Sequence, residues 1–484
     1  MNEVVDIDQQ TSADLRYIQA CFEAQAEQAL QLRQSSASAR IADLKRLRTA
    51  LIASRDSLYS AFDRDFKKPA TEVELTEILP VLDEIRHAIR HLKGWMRPRR
   101  AGMTLTTLGG AGRVEYQPKG RCLIIGPWNY PVATVLGPLV SAVAAGNTVI
   151  CKPSEFTPSV NEVVAALLAA AFAPERVSWI TGGVAVATEL LKLPFDHIFF
   201  TGSTAVGRIV MRAAAQHLTS ITLELGGKSP VIVDQTADLR QAAAMTLWGK
   251  FINAGQSCIA PDYLFVHRSV HDRFVAECKT IINDRYPSTA ASAERSPDLA
   301  RMINTDNTLR VINLLTDALD TGATLLAGGE HNVERRYIAP TLLGDPAASS
   351  KIMQSEIFGP LLPILPFDDV NEVIARINAG PKPLALYIWS TQSRAVRKIM
   401  TEVSSGGVCV NHCMQHFTHS NLPFGGVNHS GLGSSHGVYG FKAFSHERAV
   451  LKGWPFIPTQ LMFPPYTSAK HKLARLITSM LRLP

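Results

Sequence analysis

The chain runs to 484 residues, of which 46% are hydrophobic and 19% charged, with a formal charge of +7. This length exceeds one simple core and this composition excludes a disordered chain, so two or three globular domains are expected. A charge of that size spread over the whole sequence argues against nucleic-acid binding, which gathers lysine and arginine on one face.

No apolar run reaches the roughly 18 residues that span a bilayer, and the polar N-terminus lacks the basic-then-apolar plan of a secretory leader. The seven cysteines (Cys21, Cys122, Cys151, Cys258, Cys278, Cys409, Cys413) are scattered and odd in number, the pattern of reduced thiols. A cytoplasmic protein is expected.

Residues 12–97 read as helices. Ile41, Leu44, Leu47 and Leu51 share one face, as do Leu75, Ile78, Leu82, Ile85, Ile89 and Leu92. Pro98 and the basic residues after it end this block. Residues 103–108 and 113–117 then read as two short strands joined through Gly109-Gly110. From Cys122 the texture changes. Apolar runs at 122–125, 148–151, 177–180 and 197–200 alternate with helical patterns such as 160–172, and a second alternating region runs from Pro230 to about Val410. Such alternation predicts βαβ units and therefore two α/β domains with parallel sheets, plus a smaller strand element.

Six segments carry chemistry-bearing residues. Gly126-Pro127-Trp128-Asn129-Tyr130-Pro131 follows the first predicted strand, and its prolines fix the backbone around Asn129. The Asn129 amide is either a donor to a developing oxyanion or a cap in a rigid loop. Lys152 and Glu155, in Cys151-Lys152-Pro153-Ser154-Glu155, stand at the C-terminal end of a predicted parallel strand, where such sheets bind ligands. They suit a ribose, or form a surface ion pair. Thr201-Gly202-Ser203-Thr204-Ala205-Val206-Gly207 crosses from strand to helix, and its N–H groups suit a pyrophosphate. It matches neither the Gly-x-Gly-x-x-Gly fingerprint nor a Walker A loop, and serves equally as a plain turn.

The fourth constellation pairs Cys258, in Asn253-Ala254-Gly255-Gln256-Ser257-Cys258-Ile259-Ala260-Pro261, with Glu224 in Leu223-Glu224-Leu225-Gly226-Gly227-Lys228. A thiol on a tight turn and a carboxylate in an apolar run suggest covalent catalysis by sulfur with a carboxylate base. In Gln354-Ser355-Glu356-Ile357-Phe358-Gly359-Pro360, Glu356 and Phe358 lie two apart on one side. Glu356 suits a second ribose and Phe358 the back of a nicotinamide ring. Last, Asn421-Leu422-Pro423-Phe424-Gly425-Gly426-Val427-Asn428-His429-Ser430-Gly431 demands tight turns, whether to place Phe424 or only to connect.

Together, in this order, the six segments resemble the aldehyde dehydrogenase superfamily. Residues 255–263, Lys382-Pro383-Leu384-Ala385-Leu386-Tyr387 and Phe441-Lys442-Ala443-Phe444-Ser445-His446 look most like its class 3 branch, and residues 84–96 are similar to bacterial coniferyl aldehyde dehydrogenases. The resemblance covers about residues 15–465. It implies two Rossmann-like parallel-sheet domains with a small β oligomerisation element. An NAD-binding domain would comprise 1–99 and 118–226, a catalytic domain 227–425, a bridging element 100–117 and 426–465, and an amphipathic tail 466–484.

It further implies oxidation of an aldehyde, aromatic or medium-to-long aliphatic, to its acid. Cys258 would be the nucleophile, Asn129 with the Cys258 N–H the oxyanion donors, and Glu224 the base that hydrolyses a thioester. Lys152 and Glu155 would hold the adenosine ribose, Ser203 the pyrophosphate and Glu356 the nicotinamide ribose. Trp128, Gly202, Gly207, Leu225 and Phe358 complete the cofactor set. A carboxylate at Glu155 favours NAD, with NADP as the alternative. A homodimer is implied.

Asn428 replaces the usual glycine of the family's Pro-Phe-Gly-Gly-Val-Gly, which asparagine tolerates best if the backbone needs φ > 0. Asn411-His412 replaces the class 3 Asn-Asp. Cys409, His412, Cys413 and His416 have a zinc-like spacing, but strand alternation points Cys409 away from His412, so no metal is expected. The tail places Leu473, Leu476, Ile477, Met480 and Leu481 on one face, which suggests docking on the protein or a partner subunit in preference to a membrane surface. Glu224 argues against release of the thioester to coenzyme A. Loss of Cys258, Glu224 or Asn129 would have marked a non-catalytic binding protein, and all three are present.

Overall fold

The computed structural model describes residues 7–104, 107, 110–286, 296–453 and 462–480, with side chains from residue 16 onward. The N-terminal helices Ile7–Leu32, Ala37–Ala53, Arg55–Phe66 and Leu79–Trp95 bear out the periodicity. Leu44, Leu47 and Leu51 are fully buried, as are Ile78, Ile85 and Leu92. Leu75 departs from the expected face and is 45% exposed. Leu75 lies in a π turn, Glu74–Ile78, that precedes the last of these helices, and the wider turn puts it out of phase with the residues that follow.

The first sheet has the order Gly431–Leu432, Ser220–Leu225, His197–Gly202, Arg121–Ile125, Thr148–Lys152, Val177–Trp179. Its strands are parallel except Gly431–Leu432, which pairs antiparallel with Ser220–Leu225 in the register Gly431↔Glu224. That two-residue strand lies within 426–465, read on sequence as bridging element. Glycines at 425, 426 and 431 let the chain double back onto the sheet: a Cβ at Gly426 would fall 1.9 Å from the Ser430 carbonyl oxygen.

The second sheet has the order Thr324–Ala327, Thr341–Gly344, Leu361–Phe367, Tyr263–His267, Pro230–Val233, Ala385–Trp389, Gly407–Val410. It is parallel but for the first pair. Its central strands Pro230–Val233 and Ala385–Trp389 are buried throughout, as expected of strands covered on both faces. A third sheet joins Arg99–Arg100, Ala111–Pro118 and Ser445–Lys452, the last two in unbroken register from Ser445↔Pro118 to Lys452↔Ala111.

The strand expected at 103–108 is absent at Met103 and Thr104, and its pairing falls to Arg99–Arg100. A local turn competes: the Thr107 N–H donates to the Thr104 carbonyl at 3.0 Å, and the two hydroxyls are 2.8 Å apart. Residues 105, 106, 108 and 109 lie outside the described residues. No helix among the described residues is long and apolar enough to cross a membrane.

Candidate active site

The parallel strands of the first sheet deliver four of the six segments to one edge, that of their C-terminal ends. The Asn129 loop follows Arg121–Ile125, Lys152 ends Thr148–Lys152, Ser203 follows His197–Gly202, and Gly226 follows Ser220–Leu225.

The Cys258 segment begins where helix Leu239–Phe251 stops. Asn253, Ala254 and Gly255 all take positive φ, at 54°, 52° and 73°. Three consecutive left-handed residues are costly outside glycine and persist only where the surroundings fix them. Here the fixing is complete. The Asn253 amide donates to the Asn129 and Gln256 carbonyls at 2.9 and 3.1 Å, and its backbone N–H donates to Glu72 at 2.8 Å. The Gln256 amide donates to the Asn253 and Arg301 carbonyls and accepts from the Ile303 N–H. Gly255 allows close approach to the Glu356 segment, since a Cβ there would lie 2.4 Å from the Gly359 oxygen.

Cys258 follows on this rigid turn. Cys258 and Cys21 are half-buried, and the other five cysteines are buried. Burial, then the charges of Glu356 and Glu224, push the thiol up, while the N–H groups of Cys258 and Ile259 pull it down. Both carboxylates are thus within electrostatic reach of the sulfur. Asn129, itself buried, donates from Nδ2 to the Gln256 carbonyl at 3.1 Å, which ties the first segment to the fourth. Its Oδ1 is buried without a partner.

Glu224 lies in the antiparallel pair itself, opposite Gly431. Ser435 Oγ donates to its Oε1 at 2.5 Å. Burial raises its carboxyl to about 7, with the Ser435 hydrogen bond acting in the opposite sense. A carboxyl poised near neutrality suits a general base.

The cofactor-set residues fall into two groups. Trp128 and Phe358 meet edge to face with centroids 5.4 Å apart. Beside them Glu356 is pushed up to about 8 by burial, and its Oε1 is buried without a partner. A Cβ at Gly226 would strike Glu356 Oε2 at 2.1 Å, so only glycine makes room for that carboxylate. Farther along the edge Lys152 Nζ lies 3.3 Å from Glu155. Ser203 caps helix Thr204–Ala215, and Leu225 packs against Gly207, where a Cβ would lie 2.7 Å away. A cavity of about 500 Å³, lined by Thr204, Gly226, Gly227 and Glu356 among others, runs between the two sheets. An unpartnered carboxylate oxygen, glycine clearances and a helix start fit a dinucleotide's ribose hydroxyls and pyrophosphate.

Residues that the motifs did not disclose brace the site. Lys68 and Glu77 form a fully buried pair at 2.7 Å, and Glu77 accepts the N–H groups of Val132 and Ala133, just after the Asn129 loop. Lys68 also stands over the Tyr130 ring at 4.2 Å. Asp262 accepts from Lys228 and from the Ile357 N–H, which fixes the Glu356 segment. Asn428 has φ 54°, the condition under which asparagine substitutes best for glycine, and accepts from Lys382 at 2.7 Å. Of the zinc-like set, Cys409 lies 3.2 Å from His416, while His412 bonds the backbone of Cys413. Asn411 pairs twice with the Ser390 backbone.

Residues 2–450 match the model described as "Aldehyde dehydrogenase family". A putative aldehyde dehydrogenase AldX of Bacillus subtilis is 44% identical over 433 residues, 90% of this chain and 97% of that one. A probable coniferyl aldehyde dehydrogenase of Pseudomonas aeruginosa is 39% identical over 466 residues, 96% and 97% of the two chains. A substrate-bound Staphylococcus aureus AldH is similar in structure, with a TM-score of 0.90 and 38% identity over 95% of this chain and 99% of that one. An aldehyde dehydrogenase of Mycobacterium tuberculosis complexed with NAD+ gives a TM-score of 0.83 and 26% identity over 92% and 91%.

Proposed function

This chain belongs to the aldehyde dehydrogenase family and is an oxidoreductase acting on aldehydes with NAD or NADP, and we propose that it oxidises them through a thioester on Cys258. The carrying observation is the left-handed turn that presents Cys258, hydrogen-bonded to Asn129 and within electrostatic reach of Glu224 and Glu356.

The Cys258 thiol gives up its proton to solvent, the thiolate sulfur attacks the aldehyde carbon, and the carbonyl oxygen gains the electron pair as an oxyanion. Asn129 Nδ2, tied to this turn through the Gln256 carbonyl, and the Cys258 N–H are the donors assigned to that charge. Bound nicotinamide dinucleotide supplies the acceptor for the two electrons that leave with hydrogen. Glu224 then takes a proton from water, the water oxygen bonds the thioester carbon, and the carbon–sulfur bond breaks to release the acid. Glu356, with its free oxygen, would hold the nicotinamide ribose, Trp128 and Phe358 would lie against the ring, and Lys152 with Glu155 would hold the adenosine ribose. A carboxylate at Glu155 opposes a 2′-phosphate, so NAD is preferred.

The substrate class we assign is an aromatic or phenylpropenal aldehyde such as coniferyl aldehyde, supported by the likeness of the whole chain to the Pseudomonas protein of that description. A second reading, a long aliphatic aldehyde met at a membrane surface, draws on helix Ser468–Met480. None of its residues is buried, and Leu473, Leu476 and Met480 are exposed beside Lys470, Lys472 and Arg475. Own-chain docking, one of the expected roles of this helix, is not seen among the described residues. The third sheet is assigned to a homodimer interface, and seven free cysteines accord with the cytosol.

The test is turnover of coniferyl, benzyl and decyl aldehydes, followed by reduced-cofactor absorbance, in wild type and Cys258→Ala. Loss of turnover in the variant supports the reading, and the substrate ranking separates the two aldehyde classes. Full activity in Cys258→Ala would overturn the cysteine mechanism, and cofactor binding without wild-type turnover would make this a binding protein.

A further inference from the structure

We propose that Ser435 is a positioning residue for the general base, its hydroxyl holding the Glu224 carboxylate in one rotamer and in its charged form. This rests on the assignment of Glu224 as base made above. Both side chains are buried and 211 residues apart in sequence, yet Ser435 Oγ donates to Glu224 Oε1 at 2.5 Å. Buried in an apolar strand, a carboxylate has few donors to choose from, and a hydrogen bond to the charged form favours that form.

The position of Ser435 is itself enforced. Its backbone pairs twice with Phe424, N–H to carbonyl at 2.7 Å and the reverse at 3.2 Å, and its hydroxyl also reaches the Phe424 carbonyl at 3.3 Å. The next residue, His436, takes φ 72° and stacks its ring on Phe424 at 5.3 Å. The Gly437 N–H then donates to both oxygens of Glu84, at 3.2 and 3.1 Å. A serine hydroxyl held on three sides is an oriented donor, in contrast to a mobile one on a loop. The groups set against Glu224 are the hydroxyls of Ser435 and Thr201, which both favour its charged form, and the Cys258 thiol from the neighbouring turn; beyond the donor, Glu84 accepts the Gly437 N–H.

The consequence is specific to the second half-reaction. Removal of the donor leaves acylation intact and makes the base harder to ionise. In Ser435→Ala the acid limb of kcat moves up by about one pH unit, a tenfold loss of ionised base well below the limb. Hydrolysis slows while cofactor reduction does not, so a pre-steady-state burst of reduced cofactor appears or enlarges at pH 6, with KM little changed. Ser435→Thr, which keeps the hydroxyl, restores the wild-type limb. Ser435→Cys, close in shape but a weak donor, gives the same comparison should the alanine variant not fold.

A limb within 0.2 pH units of wild type in the donor-less variant, with no change in burst, would overturn the proposal. Glu224→Gln run alongside separates the two levels. If it abolishes turnover while Ser435→Ala shifts nothing, the positioning role alone fails. If Glu224→Gln turns over normally, the assignment of the base fails with it.

Discussion

At the scale of single residues the site is a set of buried groups whose ordinary ionisation is suppressed. Burial, with Glu356 and Glu224 close by, raises the Cys258 thiol above its ordinary value. Iodoacetamide should therefore label it slowly at pH 7, with a rate still rising beyond pH 9, and mass spectrometry of the labelled peptide checks this. A fast, pH-independent rate would contradict it. Asn129→Ala removes one oxyanion donor, with an expected loss in kcat of about 10²–10³-fold. The segments of Cys258, Glu224 and Asn129, assigned above as nucleophile, base and oxyanion donor, stood out in the sequence because glycine or proline lies close beside each. Ser435 and Gln256 were not, because what they do depends on partners 211 and 45 residues away. Nothing in the local pattern marks a serine that will meet a buried carboxylate.

Among the elements, strands and helices followed the apolar rhythm closely, since parallel strands covered on both faces read as plain hydrophobic runs. Two departures have local causes: the π turn before helix Leu79–Trp95 and the threonine turn at Thr104 and Thr107. The first also shows what a phase shift accomplishes, because Glu77, within that turn, reaches Lys68 and the backbone of Val132 and Ala133. Lys68→Met would leave Glu77 buried without its cation, at a cost of about 3–5 kcal/mol. Its thermal midpoint should fall well below that of Lys67→Met, a change at an exposed pair next door, where little effect is expected. Equal midpoints would show that the buried pair braces nothing. Gly255→Ala tests the turn itself. Its positive φ and the Gly359 oxygen 2.4 Å from the added carbon both oppose it. We expect lost activity with a lowered midpoint, and normal activity would refute the tightness argued here.

For the molecule as a whole, five carboxyls among the described residues are raised, Glu77 among them. Glu72, Glu84 and Glu224 are raised to about 7 and Glu356 to about 8, each chiefly by burial. Raised folded-state values mean that the native protein binds more protons than the unfolded chain between the ordinary carboxyl range and pH 8. Their contribution is full at low pH and lost as pH climbs through 7 to 8. His416 and His436, lowered to about 4, act oppositely but only below pH 6.5. Thermal stability should therefore decline from pH 6.5 to 8, and Glu356→Gln should flatten the decline. A midpoint that rises over this interval would show that the carboxyls ionise normally.

The antiparallel pair Gly431↔Glu224 also makes the sheet edge at Glu224 depend on residues near the C-terminus. On the ribosome the thiol turn emerges long before residue 431, so a nascent or truncated chain carries Cys258 with an unbraced Glu224 and an open sheet edge. Closure of that edge waits for about the last ninth of the chain, from residue 431 onward.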